Sequence, residues 1–230
     1  MPPLPLAEQV RAVTDAVMPE LEQIWRVTVP QAASDALFEL LPPFIDTWTV
    51  AVAALAADWY DDLREEEQIP GVFTAIVPDL GDQGADELAG FASEAIMRPE
   101  PDFELFRSRV EGGAQRRIAN AARETVMTSS VQDPKARGWK RVVRPGGCGF
   151  CRMLAARGYA YKTKESSTFG SHDHCSCSAE PGWSGGKTVG VRDFTPSTKD
   201  TTAAERQAVY KWIREHQPTA QVGPSRTGSK

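Results

Sequence analysis

The four cysteines of the chain and two of its three histidines fall within thirty residues, from Cys148 to Cys177. Three kinds of chemistry explain such crowding: paired disulfides, a metal site, or a reactive thiol served by a histidine. Disulfide pairs are typical of small secreted domains, whereas this chain has 230 residues and shows no secretory apolar region near its first residues. We therefore expect a metal site, with disulfides as the second interpretation.

The spacing divides the predicted site into two halves. Cys148 and Cys151 can present both thiolates to one ion from a tight turn, in which Gly149 relieves the backbone. A second half-site follows after a loop and contains His172, Cys175 and Cys177. Sulfur donors with at most one imidazole, in tetrahedral geometry, select zinc.

Five donors compete for four positions in this site. Cys175 and Cys177 share a face if they lie in a strand, whereas His172 and Cys175 suit a turn. We expect Cys148, Cys151 and Cys175 to bind zinc, together with either His172 or Cys177. Four protein ligands leave no open position, so the zinc is predicted to be structural rather than catalytic.

The remaining histidine of the segment, His174, is expected to face solvent or to hold a neighbouring residue in place. A thioredoxin-like redox role for Cys148 and Cys151 is disfavoured, because no βαβ pattern surrounds the pair.

The residues around the cysteines form a longer sequence pattern. It consists of Gly147-Cys-Gly-Phe-Cys-Arg-Met-Leu-Ala-Ala-Arg-Gly158, then Tyr159 to Tyr161, His172-Asp-His-Cys-Ser-Cys177 and Ala179-Glu-Pro181. Over about forty residues, to Trp183, this pattern resembles the MuF-like minor capsid, or head-morphogenesis, proteins of tailed phages, in the version found in phages of actinobacteria. Family members commonly carry His-Pro-x-Cys-Arg-Cys, from which Asp173 and Ser176 depart.

The resemblance implies a structural protein of the phage head. Proteins similar to this one are implied to associate with the portal, to act with capsid or scaffold proteins in procapsid assembly, and to sit inside the head near the packaged DNA. The expected location is therefore the interior of the virion, after synthesis in the host cytoplasm.

Charge is distributed unevenly along the chain. Residues 1 to 100 carry 19 acidic and 4 basic side chains, a balance of −15, whereas residues 101 to 230 carry 12 acidic and 22 basic ones, a balance of +10. The asymmetry indicates two functional surfaces, two halves that attract each other, or two solvated faces of one body. No run of about eighteen apolar residues is apparent, so we expect no membrane partner.

Apolar periodicity predicts an all-helical body over residues 1–136. Five helices are expected, and two of them meet prolines: Pro19 should kink the first or begin a second segment, and Pro42-Pro43 should stop the second. Asp82 is the predicted cap of the fourth, and the fifth is predicted to begin at Asp102. The predicted helices cover residues 5–28, 32–41, about 45–67, 82–97 and 102–130.

The helical periodicity ends near Gly138, where short β-like segments begin, and we predict a zinc-binding α+β module over residues 137–183. A short strand from Trp139, one or two helical turns after Cys151, a strand from Tyr159, and a closing strand before Trp183 are expected. A zinc would replace the apolar core that so few residues cannot supply. Residues 184–230 are predicted to form an extended tail with one helix near 203–216.

The predicted fold class is therefore α+β, and two enzyme classes remain as alternatives to the structural role. A capsid maturation protease is suggested by the name often given to actinobacterial relatives, but no Gly-x-Ser-x-Gly or His-Glu-x-x-His motif is present. A nuclease of the His-metal-finger kind would use His174 as general base. The second metal-binding asparagine or histidine expected for such a site is missing.

Overall fold

Two long helices form the centre of the fold, in a computed structural model that describes residues 3–143, 148–159, 161, 169–175 and 177–183. These helices are α3 (Pro30–Glu66) and α5 (Phe103–Gln132). Leu37, Ile45 and Val52 of α3 are fully buried, as are Val110 and Ile118 of α5. The apolar stripes that the sequence predicts therefore form the core between them.

Shorter helices complete the helical part. The chain begins with α1 (Leu6–Val17), a 3-10 turn (Met18–Leu21) and α2 (Glu22–Trp25), so the predicted break at Pro19 is confirmed. After α3, the chain crosses to α4 (Ala85–Ser93). Helix α5 then begins next to the predicted start at Asp102, whose carboxylate caps it by accepting the Leu105 amide at 2.8 Å.

Two helix boundaries differ from the predictions. α3 runs through Pro42 and Pro43 without a stop, because the residues on both sides of the prolines bury their apolar face against α4 and α5, and this packing outweighs the lost backbone hydrogen bonds. α4 begins at Ala85 after a cap at Gly84, whose backbone is left-handed, and ends at Ser93 rather than near residue 97. Asp82 instead accepts the Gly84 amide within the preceding loop.

By length and composition alone, α3 is apolar enough to cross a membrane. The core helix of a soluble protein meets the same criterion, and Leu37, Ile45 and Val52 of this helix are buried within the protein.

The cysteine segment, which we define as residues 139–183, adds a small sheet and one short helix. Strand β1 (Trp139–Val142) pairs antiparallel with β2 (Ser178–Pro181), with Trp139 opposite Pro181 and Val142 opposite Ser178. Helix α6 (Gly149–Ala155) lies between them in sequence. The strand predicted from Tyr159 appears as a single bridge between Tyr161 and Trp139, and its other residues lie partly outside the described ones.

The mainly helical architecture with a two-stranded sheet confirms the α+β class. The cysteine segment shares one apolar core with the helices, to which it contributes buried residues such as Trp139, Cys151, Cys175 and Trp183. The division at 136/137 stays a prediction. The predicted tail, with its helix near 203–216, lies outside the described residues.

Candidate metal centre

The first half of the cluster is built on the start of α6. Cys148 is the residue before the helix, and its Sγ accepts the amide hydrogen of Cys151 at 3.4 Å. The sulfur thus acts as the helix cap, which holds Cys148 and Cys151 on the same side of the turn. Cys151 is buried, while Cys148 is partly exposed.

The second half is a tight turn followed by a strand. The carbonyl of His172 accepts the Cys175 amide at 3.1 Å, so the predicted turn between these two residues is confirmed. His174 occupies the turn with a left-handed backbone at φ 59°, a conformation that histidine adopts more readily than most residues. Cys177 directly precedes β2.

The two halves meet at Cys151. Its Sγ lies within 4.8 Å of the ligand atoms of Cys148 and His172 in one group, and of Cys175 and Cys177 in another. The Cys151 and Cys175 sulfurs are 3.9 Å apart, and His172 Nε2 lies 3.2 Å from Cys148 Sγ. The structure therefore brings all five predicted donors into one cluster.

The geometry distinguishes between a metal site and paired disulfides. None of the four is disulfide-bonded, and 3.9 Å is nearly twice an S–S bond length. Two thiolates bound to one tetrahedral zinc at about 2.3 Å would lie about 3.8 Å apart. The cluster could hold a metal ion, and its spacing fits one shared by two thiolates.

Hydrogen bonds between the donors shift the pKa values of the cysteines in opposite directions. Donation from Cys151 and Cys177 lowers the pKa of Cys175, and the same contact with Cys175 raises the pKa of Cys151. Burial opposes ionisation of Cys148, but hydrogen bonds from the Cys151 amide and His172 outweigh it and lower the pKa of Cys148. Each half therefore contains one cysteine, Cys148 or Cys175, whose lowered pKa favours the deprotonated form that binds a metal.

His172 has the orientation of a metal ligand. Its Nδ1 lies 2.7 Å from the Asp173 carbonyl, and an N–H donated there leaves Nε2 free for an ion or for Cys148. The Asp173 carbonyl and then Cys148 raise the pKa of His172. Both this imidazole and the Cys177 thiol stay candidates for the fourth position.

His174 packs on the helical body. A Cβ on Gly112 of α5 would come within 2.6 Å of His174 Nε2, so this glycine makes room for the turn. Asp173 pairs with Arg116 of α5 at 3.3 Å. The expectation that His174 faces solvent is met in part, since its side chain is exposed while it contacts α5.

Two arginines beside the cluster were missed by the sequence analysis. Arg141 of β1 donates to Cys151 Sγ at 3.4 Å and to the Gly170 carbonyl at 2.9 Å. Arg123 of α5 donates to the carbonyls of Cys177 and Cys175 at 2.8 and 2.7 Å. For Arg123 a signal existed: it lies three residues before the inward-facing Val126, on the apolar side of α5.

Comparison with known proteins identifies a family. No curated protein and no solved structure matches the chain. One family model, described as VG15 protein, matches residues 5–210, which include the helical body and every residue of the cysteine cluster. The chain therefore belongs to the VG15 protein family, a family of phage proteins.

Proposed function

We propose that this protein is a minor structural component of a tailed-phage head, of the MuF-like kind, with a structural zinc site. The observation that carries the proposal is the position of the five-donor cluster. It lies within the segment whose sequence resembles MuF-like proteins, in a chain that belongs to a phage family.

The donor set supports zinc as the ion. Four thiols and one imidazole, with two thiols 3.9 Å apart, fit a borderline-soft divalent ion in tetrahedral coordination. Bound there, the ion would supply cross-linking between the start of α6 and the turn before β2. Four of Cys148, Cys151, His172, Cys175 and Cys177 would hold it and leave no position for a substrate.

The proposed partners follow from the resemblance and from charge. The portal, with capsid or scaffold proteins, is the proposed assembly partner, and the interior of the head is the proposed location. The +10 balance of residues 101–230 makes packaged DNA a further candidate partner.

Co-expression with the portal protein of the same phage genome tests this function. We expect a tagged chain to retain the portal through affinity purification, and mass spectrometry of purified heads to detect the chain. A His174→Asn variant, which keeps a residue suited to the left-handed backbone, should behave like the wild type.

Two results would contradict the proposal. The first is a chain that is absent from heads and does not retain the portal. The second is a purified chain that cleaves capsid or scaffold protein, or nicks DNA with magnesium, and loses that activity in His174→Asn while remaining folded.

A further inference from the structure

The second half of the cluster is attached to α5 by one buried side chain. Arg123 is only 1% exposed, and its Nε and Nη2 donate to the carbonyls of Cys177 and Cys175 at 2.8 and 2.7 Å. A planar guanidinium presents these two N–H groups in a fixed fork. The backbone positions of both cysteines are therefore set by a helix that precedes the cysteine segment in sequence.

Arg123 is itself held in place. Its Nη1 donates to Asn120 Oδ1 at 2.6 Å, and Ser171 donates to the same oxygen at 2.9 Å. Its guanidinium carbon lies 4.8 Å from the centre of the Phe169 ring. Phe169 and Ser171, which lead into the second half-site, thus contact the same turn of α5 as Arg123.

The buried positive charge of Arg123 favours a cysteine cluster that carries negative charge. A buried guanidinium is costly unless a negative group compensates it. Among the residues that the structure describes, no carboxylate forms an ion pair with Arg123 or with the equally buried Arg141. A divalent ion with four thiolates has a net charge of −2, and one with three thiolates and an imidazole has −1. Either ligand set supplies the missing negative charge.

We infer that Arg123 is a positioning residue of the metal centre, which is completed by α5 rather than by residues 137–183 alone. This inference rests on the zinc site of the proposed function. It states that Arg123 holds Cys175 and Cys177 where they can join Cys151 on one ion, and that its charge stabilises the loaded site.

Competition with a chromophoric chelator tests this on the full-length chain. We expect Arg123→Met to weaken zinc binding by about 10- to 100-fold, the usual effect of losing a group that supports metal ligands. Arg123→Lys should recover part of the affinity, because an ammonium keeps the charge but not the fork. Arg107→Met is the control: this arginine lies on α5 and pairs with Glu111 at the surface, so zinc affinity should match the wild type.

A second measurement needs no metal. In the chelated chain, alkylation followed by mass spectrometry should show faster labelling of Cys175 and Cys177 in Arg123→Met than in the wild type. Should Arg123→Met lose its helical circular dichroism, the milder Asn120→Ala replaces it, with a smaller loss of zinc affinity expected.

The outcomes separate this inference from the zinc proposal. A wild type that binds no zinc contradicts the zinc proposal, and the labelling rates then decide the role of Arg123. Two results would show that Arg123 does not position the cluster. The first is a folded Arg123→Met, or Asn120→Ala in its place, whose zinc affinity is within about twofold of the wild type. The second is a metal-free variant whose cysteines are alkylated at the wild-type rate.

Discussion

Single residues explain how closely the helices approach one another. Gly113 of α5 faces Leu88 of α4, and a Cβ on this glycine would lie 2.4 Å from Leu88 Cδ1. Leu88 is buried, so it cannot turn away into solvent. The neighbours of Gly113 cannot be read from the sequence, because only the folded chain brings α4 to α5.

We predict that Gly113→Ala destabilises the protein by about 1–3 kcal/mol, the usual cost of overpacking. This is opposite to the gain of about 1 kcal/mol that alanine gives in an open helix. Urea unfolding provides the measurement, with Gly90→Ala in α4 as the matched control, since a Cβ there meets only Phe38 at an ordinary 3.9 Å. Equal stabilisation by both changes would contradict the close approach.

The basic residues of α5 also have local roles that a charge count does not show. Arg116 pairs with Asp173, Arg117 donates to the Gln83 and Gly84 carbonyls, and Arg123 donates to the Cys175 and Cys177 carbonyls. Several of these arginines therefore bind neighbouring segments to α5.

At the scale of elements, Asp133 connects the end of α5 to α3 and to Trp183, just after β2. Its Oδ2 accepts from Tyr60, Arg64 and Trp183 at 3.2, 3.0 and 2.8 Å. The Tyr60 and Trp183 rings also meet edge to face, with centroids 5.3 Å apart. Asp133, the residue after α5, thus binds both the end of α3 and Trp183, which lies two residues after β2.

Asp133→Asn should destabilise the protein by about 3–5 kcal/mol at pH 7, because it leaves the buried Arg64 without its partner. Burial opposes ionisation of Asp133, but hydrogen bonds from the Lys135 amide, Trp183 and Arg64 outweigh it and lower its pKa. The folded-state pKa therefore lies below the unfolded value of about 3.9. The stabilisation is present above that value and is lost as pH falls through the folded pKa.

Urea unfolding from pH 7 to pH 2 measures this prediction. The wild type should lose stability below about pH 4, and the variant should lose less over the same interval. Tyr60→Phe is the control, since it removes one donor to Asp133 and leaves the charge pair intact; we expect it to cost about 1 kcal/mol. Parallel pH profiles for Asp133→Asn and the wild type would contradict the assignment.

The element scale also shows the limit of local sequence signals. The start of α5 near Asp102 and the break at Pro19 were predictable because both depend on neighbouring residues only. The passage of α3 through Pro42-Pro43 was not, because it depends on packing against helices distant in sequence. The small sheet was predictable from its short apolar segments, but its register required the fold.

At the scale of the whole molecule, the described residues of the cysteine segment pack directly against the helical body. The segment contacts α5 through Arg123 and the pair of Asp173 with Arg116, and it contacts Asp133, just after α5, through Trp183. The sequence was sufficient to predict the cluster, because five sulfur and imidazole donors lie within thirty residues. It did not show that the cluster is seated on α5, since that contact spans more than fifty residues.

Metal content per chain, measured on the purified full-length protein, tests the central claim most directly. The account predicts one zinc per chain, with cysteine thiols that resist alkylation until a chelator removes the ion, and little zinc in Cys151→Ser, which loses the donor shared by both groups. A chain that contains no metal, and whose thiols react at the same rate with and without chelator, would contradict it.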